Sequence, residues 1–246
     1  MGHFEGCSFK PEVPAGCDLR ESRILLHCCC GPCSTAILEW MVEEGLRPGV
    51  FFSNSNIVPY EEYVKRRDEL ARYASSFGLE VIDDEYDHEA WLEFVRGSGA
   101  DIDGPERGPR CLACFKFRLL RAAQYAAENG YDILTTTLAS SRWKDLSQVD
   151  DAGRWAVGEV VPSGNHATLG TVRGGTGAER SEASGGAERS EALQEGTTTP
   201  TEKVPIVFWG QNWRKGGLQE RRNYLIKSCA LYNQTWCGCE FSHRDK

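Results

Sequence analysis

The sequence predicts an α/β fold: a parallel sheet with helices on both faces. Two observations predict it. Short apolar runs alternate with longer amphipathic stretches along most of the chain, and the first run ends in Cys28-Cys-Cys-Gly-Pro-Cys33, where four of the chain's 11 cysteines fall together. Strands that alternate with helices build parallel sheets, and open α/β sheets place their ligands beyond the carboxyl ends of strands.

Taken in order, residues 1–22 hold Pro11, Pro14 and Gly16 among mixed polar residues and read as an irregular lead-in; Cys7 and Cys17 there have no assigned task. The rest, 23–246, reads as a single α/β catalytic domain. Residues 24–27 form the first strand and 34–44 the first helix, with Ser34 as its N-cap and Gly45 as its stop. Residues 50–53 form the second strand, left through Asn54-Ser55-Asn56, and 60–77 a helix whose Lys65, Arg66 and Arg67 face solvent. A strand at 79–82 and a helix at 90–96 follow. A Gly/Pro/Asp loop at 97–109 leads into Cys111-Leu-Ala-Cys114, which opens a helix to about 128. Residues 132–136 are the fourth strand, Lys144-Asp145 precede a helix to about 156, and 204–209 are the last strand.

Residues 163–200 break this pattern. Large apolar side chains nearly vanish, and Gly-Ala-Glu-Arg-Ser-Glu-Ala occurs twice. Such composition cannot bury enough apolar surface to offset ordering entropy, so the segment reads as a flexible insertion within the domain.

The formal charge of −8 argues against a protein that coats nucleic acid indiscriminately, but leaves room for a local basic face. One such stretch is 213–227, with Arg214, Lys215, Arg221, Arg222 and Lys227 against Glu220; a solvated helix face is the plain alternative. No apolar run is long enough for a signal peptide or a membrane span, which points to a cytoplasmic protein with no membrane partner. In a reducing compartment, so many thiols signal metal or redox chemistry more than structural bridges.

A bridge between adjacent Cys29 and Cys30 would be badly strained, which makes metal the natural reading of the first thiol set. Iron-sulfur groups and zinc both use four thiolates at such spacings, so spacing alone does not choose between them. Cys111 and Cys114 form a half-site at a helix N-terminus, where the dipole favours thiolate; a thioredoxin-like redox pair has the same spacing. Cys237-Gly-Cys239 encloses one residue, and a strained bridge there would reduce readily, as an electron relay requires.

Together these pieces resemble the QueH family of epoxyqueuosine reductases. The resemblance rests on Leu-His-Cys-Cys-Cys-Gly-Pro-Cys-Ser-Thr from Leu26, Phe-Phe-Ser-Asn-Ser-Asn-Ile-Val-Pro-Tyr-Glu-Glu-Tyr from Phe51, Glu-Tyr-Asp-His-Glu-Ala-Trp from Glu85, Arg-Cys-Leu-Ala-Cys-Phe-Lys-Phe-Arg-Leu from Arg110, Leu-Thr-Thr-Thr-Leu-Ala-Ser-Ser from Leu134, Lys144-Asp145, and Tyr-Asn-Gln-Thr-Trp-Cys-Gly-Cys-Glu-Phe-Ser from Tyr232. It implies a HUP-like (adenine nucleotide alpha hydrolase-like) α/β fold and reduction of epoxyqueuosine to queuosine at the wobble position of tRNA, with electrons from a donor the sequence does not identify. It further implies a 4Fe-4S cluster on Cys29, Cys30, Cys111 and Cys114, and a redox-active pair in Cys237 and Cys239. Cys33 is implied beside a second metal, a mononuclear iron or another ion, with Asp145 as the candidate carboxylate. Cys28 competes with Cys29 for its role, and Arg142-Trp143 stand where the family pattern has Pro-His.

On that reading, Lys144 and Asp145 lie near the proton supply. Arg110, Lys116, Arg118, Arg214, Lys215, Arg221 and Arg222 grip tRNA phosphates, and Trp143, Trp213 or Tyr224 stacks on a base, although an aromatic at such a position more often belongs to the core. Two rival functions share the thiols: a zinc-binding tRNA-interacting protein, and a cluster-dependent tRNA thiolase. The thiolase would need a Ser-Gly-Gly-x-Asp-Ser loop after the first strand, where this chain has cysteines.

Overall fold

Apolar runs too uniform to alternate inside and outside must be covered on both faces, which a parallel sheet between helices achieves. A computed structural model describes residues 7–160 and 205–242, which belong to one packed unit. The expected insertion at 163–200 lies outside the described residues.

The strands are β1 (Ile24–His27), β2 (Gly49–Phe52), β3 (Val81–Asp83), β4 (Ile133–Thr136) and β5 (Val207–Phe208). The helices are α1 (Gly31–Glu43), α2 (Tyr60–Ser75), α3 (His88–Gly97), α4 (Pro109–Glu128), α5 (Leu146–Val160) and α6 (Leu218–Ser228). The sheet order is β3-β2-β1-β4-β5, and every neighbouring pair is parallel. Central β1 and β4 are buried along their whole length, and register sets Leu26 between Val50 and Thr135. Helices flank this sheet in two groups: α1 packs on α2 and α6, and α4 on α3 and α5.

Two local expectations are corrected, and one alternative is decided. Helix α1 begins at Gly31, not Ser34, because Pro32 pre-sets the first turn and Cys30 takes the cap position. The Ser34 hydroxyl instead donates back to the Cys30 carbonyl at 2.8 Å. Arg66 is 2% exposed and not solvent-facing, since it shares the inner face of α2 with Tyr63, Leu70 and Tyr73. Trp213 lies in the core: its ring meets those of Trp40 and Trp209 at 5.8 and 5.4 Å.

The lead-in from residue 7 onward has no helix or strand, yet it is packed. Phe9 sits 5.0 Å from Trp40 and 5.2 Å from Trp213, and the Glu12 carbonyl accepts from Trp209 Nε1 and Gln211 Nε2 at 3.0 and 2.7 Å. Among the described residues no helix is long and apolar enough to cross a membrane.

Because Trp40 joins the lead-in to this aromatic core, Trp40→Ala is expected to lose about 3–5 kcal/mol in urea unfolding. Trp213→Phe, whose indole N–H meets no acceptor among the described residues, should cost less than about 1.5 kcal/mol. Equal losses would contradict this packing scheme.

Candidate active site

The strand order reverses between β1 and β4, and such a switch point opens a crevice at the strands' carboxyl ends. The chain leaves β1 there as Cys28-Cys29-Cys30, and neighbours on both sides pin the turn. From the β2 side, Asn54 Nδ2 donates to the Cys28 carbonyl at 2.9 Å, and Cys28 N–H donates to the Phe51 carbonyl at 2.7 Å. From the β4 side, Cys29 N–H donates to Thr137 Oγ1 at 3.0 Å, and Ser140 Oγ donates to the Cys33 carbonyl at 3.0 Å. His27 lies beneath, its ring nitrogens 2.8 Å from Thr136 Oγ1 and 3.1 Å from the Ser53 carbonyl. Burial, reinforced by the Arg118 charge, lowers its pKa to about 3 and keeps it neutral.

The ligand atoms of Cys29, Cys30 and Cys33 all lie within 4.8 Å of one another, with 3.9 Å between the Cys29 and Cys30 sulfurs. Thiol hydrogen bonds from Cys30 and Cys33 hold Cys29 well below the usual cysteine range, against burial and with help from Lys144 and Arg118. The same sharing pushes Cys30 up, so the trio carries its first negative charge as a unit. Cys28 lies outside this trio: its Sγ is 3.6 Å from the Leu26 carbonyl, and burial raises its pKa.

Cys111 and Cys114 open α4 after Gly108-Pro109, and do not belong to the convergent trio. Burial pushes both thiols up, only partly offset at Cys111 by the Arg107 N–H, 3.3 Å from its sulfur, and at Cys114 by the charge of Arg118. Arg107 also clamps the loop before α5, donating to the Arg142 and Trp143 carbonyls at 3.1 and 3.0 Å. That clamp fixes Lys144. Burial pulls its ammonium pKa down, but Cys29 and Cys33 outweigh burial and hold it above the ordinary lysine value, with a further contribution from Cys237.

The terminal pair is held from α2. Arg66, paired with Glu62 at 2.6 Å, donates to the Cys237 and Trp236 carbonyls at 2.9 and 3.4 Å, while Val58 N–H donates to the Gly238 carbonyl at 3.0 Å. Gly238 has φ +103°, and a Cβ there would stand 2.8 Å from Ile57 and 3.0 Å from the Arg66 guanidinium. Cys237 is exposed, and Cys239 is buried against Trp91 and Cys114. A hydrogen bond from the Cys239 thiol, together with Ser242 Oγ at 3.0 Å, lowers Cys237 to about 5, while Cys239 is pushed up by its thiolate neighbour. The pair thus holds one thiolate beside one thiol, the state in which a dithiol can react.

The thiols therefore form three sets at one rim of the sheet, with electrostatic contacts through Lys144, Arg118 and Cys237. The family model described as Epoxyqueuosine reductase QueH matches residues 24–162 and 184–245. The chain belongs to that family. Epoxyqueuosine reductase QueH of Histophilus somni is 35% identical over 96% of this chain and 76% of its own length. The proteins so named from Haemophilus influenzae and Acinetobacter baylyi are 33% and 31% identical over 96% of this chain and over 76% and 87% of their own lengths. The family match encloses all three thiol sets and Lys144, and leaves 163–183 unmatched within the expected insertion.

Other expected site residues are placed differently. Asp145 is exposed and accepts from Ser147 N, Ser147 Oγ and Gln148 N at 2.9, 2.6 and 3.3 Å, so it caps α5. Arg110 is buried, donating to the Ile102 carbonyl, and Arg118 is buried against Ser53 and Asn54. Arg221 forks onto Glu39 with both bonds at 2.6 Å. Lys116 lies 4.9 Å from the Trp155 ring centre. Arg214 is half-buried and Lys215 exposed, while Arg222 donates to the Pro32 carbonyl at 3.0 Å and so adjoins the first thiol turn. Trp143 and Tyr224 are exposed. Arg66, Arg107, Thr137 and Ser140 were not anticipated.

With Cys237 near pKa 5, its alkylation by iodoacetamide in metal-free protein should already be fast at pH 6 and change little up to pH 8. Mass mapping that instead finds Cys237 inflecting near the ordinary thiol value of about 8.5 would contradict the thiolate.

Proposed function

We propose that this chain reduces epoxyqueuosine to queuosine at the wobble position of tRNA, using a 4Fe-4S cluster and the Cys237/Cys239 pair. The observation that carries this reading is the convergence of Cys29, Cys30 and Cys33 within 4.8 Å of one another, in a chain that the reductase family model matches across all three thiol sets. Cys29 and Cys30 on one side and Cys111 and Cys114 on the other would hold the cluster; the donor set fits, being soft, buried and prone to ionise at Cys29. Cys33, within 4.8 Å of Cys29 and Cys30, is proposed as the thiol that would hold a second metal. When bound, such iron supplies Lewis acidity toward an oxygen and carries electrons singly.

The reaction breaks both C–O bonds of the epoxide, forms a C=C bond and releases the oxygen as water, consuming two electrons and two protons. The Cys237 thiolate and the Cys239 thiol release two electrons and one proton on forming their disulfide, the Lys144 ammonium supplies the second proton, and an external reductant with protons from water restores the pair. Lys144 holds a proton at Nζ beside the thiols. Asp145 is left to its helix cap.

The tRNA would approach across α6, where Arg222 reaches the Gly-Pro-Cys turn and Arg214 and Lys215 precede the helix, gripping phosphates. Lys116 is proposed as a further phosphate contact. Arg110, Arg118 and Arg221, whose guanidiniums are taken up by protein oxygens, contribute through structure. Three close thiols also suit zinc, and iron and sulfide content separates the two readings.

Anaerobic incubation of iron-loaded protein with epoxyqueuosine-containing tRNA and dithionite should yield a modified nucleoside lighter by one oxygen. Lys144→Met should slow this about 10²–10⁴-fold, the range for loss of a general acid, and Cys237→Ser should abolish turnover. No oxygen loss with wild-type protein would refute the function.

A further inference from the structure

Arg118 stands one helical turn after Cys114 on α4, so the two side chains share one face. It is 4% exposed. Every hydrogen bond that its guanidinium makes ends on a neutral oxygen: Nε donates to the Ser53 carbonyl at 3.4 Å, and Nη2 donates to Asn54 Oδ1. Asn54 passes the contact on, its Nδ2 donating to the Cys28 carbonyl at 2.9 Å. Arg118 thereby ties the CxxC helix to the first thiol turn.

The nearby carboxylate is already committed. Asp84 takes Arg121 in a fork at 2.6 and 3.0 Å and also accepts from Ser53 Oγ at 2.6 Å. Among the described residues Arg118 forms no ion pair with Asp or Glu, and its charge opposes that of Lys144. A buried cation without an anion is costly, and a fold keeps one where an anion will be held. Arg118 shares a helix face with Cys114 and through Asn54 reaches the turn that carries Cys29, so it adjoins both halves of the proposed metal site, and its charge favours thiolate over thiol in each.

We propose that Arg118 is a positioning residue and the buried counter-cation of the thiolate-held iron-sulfur group, setting its reduction potential and spanning its two ligand segments. This rests on the cofactor reading above. A buried positive charge beside the ligand segments favours the reduced, more negative form, because net charge and hydrogen bonding near the sulfurs tune such potentials.

The test compares Arg118→Lys, which keeps the charge and loses the fork, with Arg118→Gln, which loses the charge, in anaerobic holoenzyme. Iron content and the midpoint potential from spectroelectrochemistry are the readouts. The expected result is a midpoint for Arg118→Gln displaced to more negative values, or loss of its iron, while Arg118→Lys keeps its iron and a midpoint near wild type. Lys and Gln variants that behave alike, whether both unchanged or both displaced, would overturn the proposal. Folding is checked by melting the metal-free proteins: both variants should unfold in one cooperative transition, and a Gln variant that is unfolded at the assay temperature while the Lys variant is folded would mark Arg118 as merely structural. Wild-type protein that takes up no iron would instead sink the cofactor reading itself.

Discussion

The constraint on which the structure depends is the pinning of the Cys28–Pro32 turn in the crevice between β1 and β4. A turn that packs three consecutive cysteines and then starts a helix has several ways to fold. Here Asn54, Thr137 and Ser140 each take a backbone group of the turn or of the first α1 turn, and together they select one. The outcome is a division among adjacent residues: the Cys28 sulfur turns to the Leu26 carbonyl, and Cys29 and Cys30 converge with Cys33. Without those contacts the same thiols would lack a common focus.

Charge follows from that placement. Three close sulfurs cannot ionise independently, so the first negative charge settles on Cys29 with two thiols bonded to it. The second centre repeats the arrangement on a smaller scale, with Cys237 ionised and Cys239 protonated. Lys144 lies in reach of both, and its loop is held by Arg107, whose own amide faces the Cys111 sulfur. Neither centre is built on a loose loop: Arg66 and its Glu62 partner anchor the terminal pair to the inner face of α2.

Much of this was legible in the sequence. The β1 boundaries were read to the residue, since an apolar run stopped by cysteines leaves little freedom, and the parallel α/β class followed from alternation. The thiol sets stood out by spacing. Other features were present but outweighed: Gly31-Pro32 signals a helix start three residues before Ser34, and Asp145-Leu-Ser-Gln148 has the pattern of a capping box. Arg66 falls at helical spacing from Tyr63, Leu70 and Tyr73, yet its basic neighbours made it look solvated. What no local pattern holds is which distant segments meet. The fork from Arg221 to Glu39 spans 182 positions and the bond from Arg66 to Cys237 spans 171, so neither could be read before the fold was known.

The proposed chemistry requires that one group be gripped by thiols from both the β1–α1 turn and α4. Iron and acid-labile sulfide, measured on anaerobically purified single-alanine variants, test it most directly. Cys28→Ala should retain wild-type iron, while Cys29→Ala and Cys111→Ala should each lose most of it. Full iron in Cys111→Ala, or its loss in Cys28→Ala, would contradict the assignment.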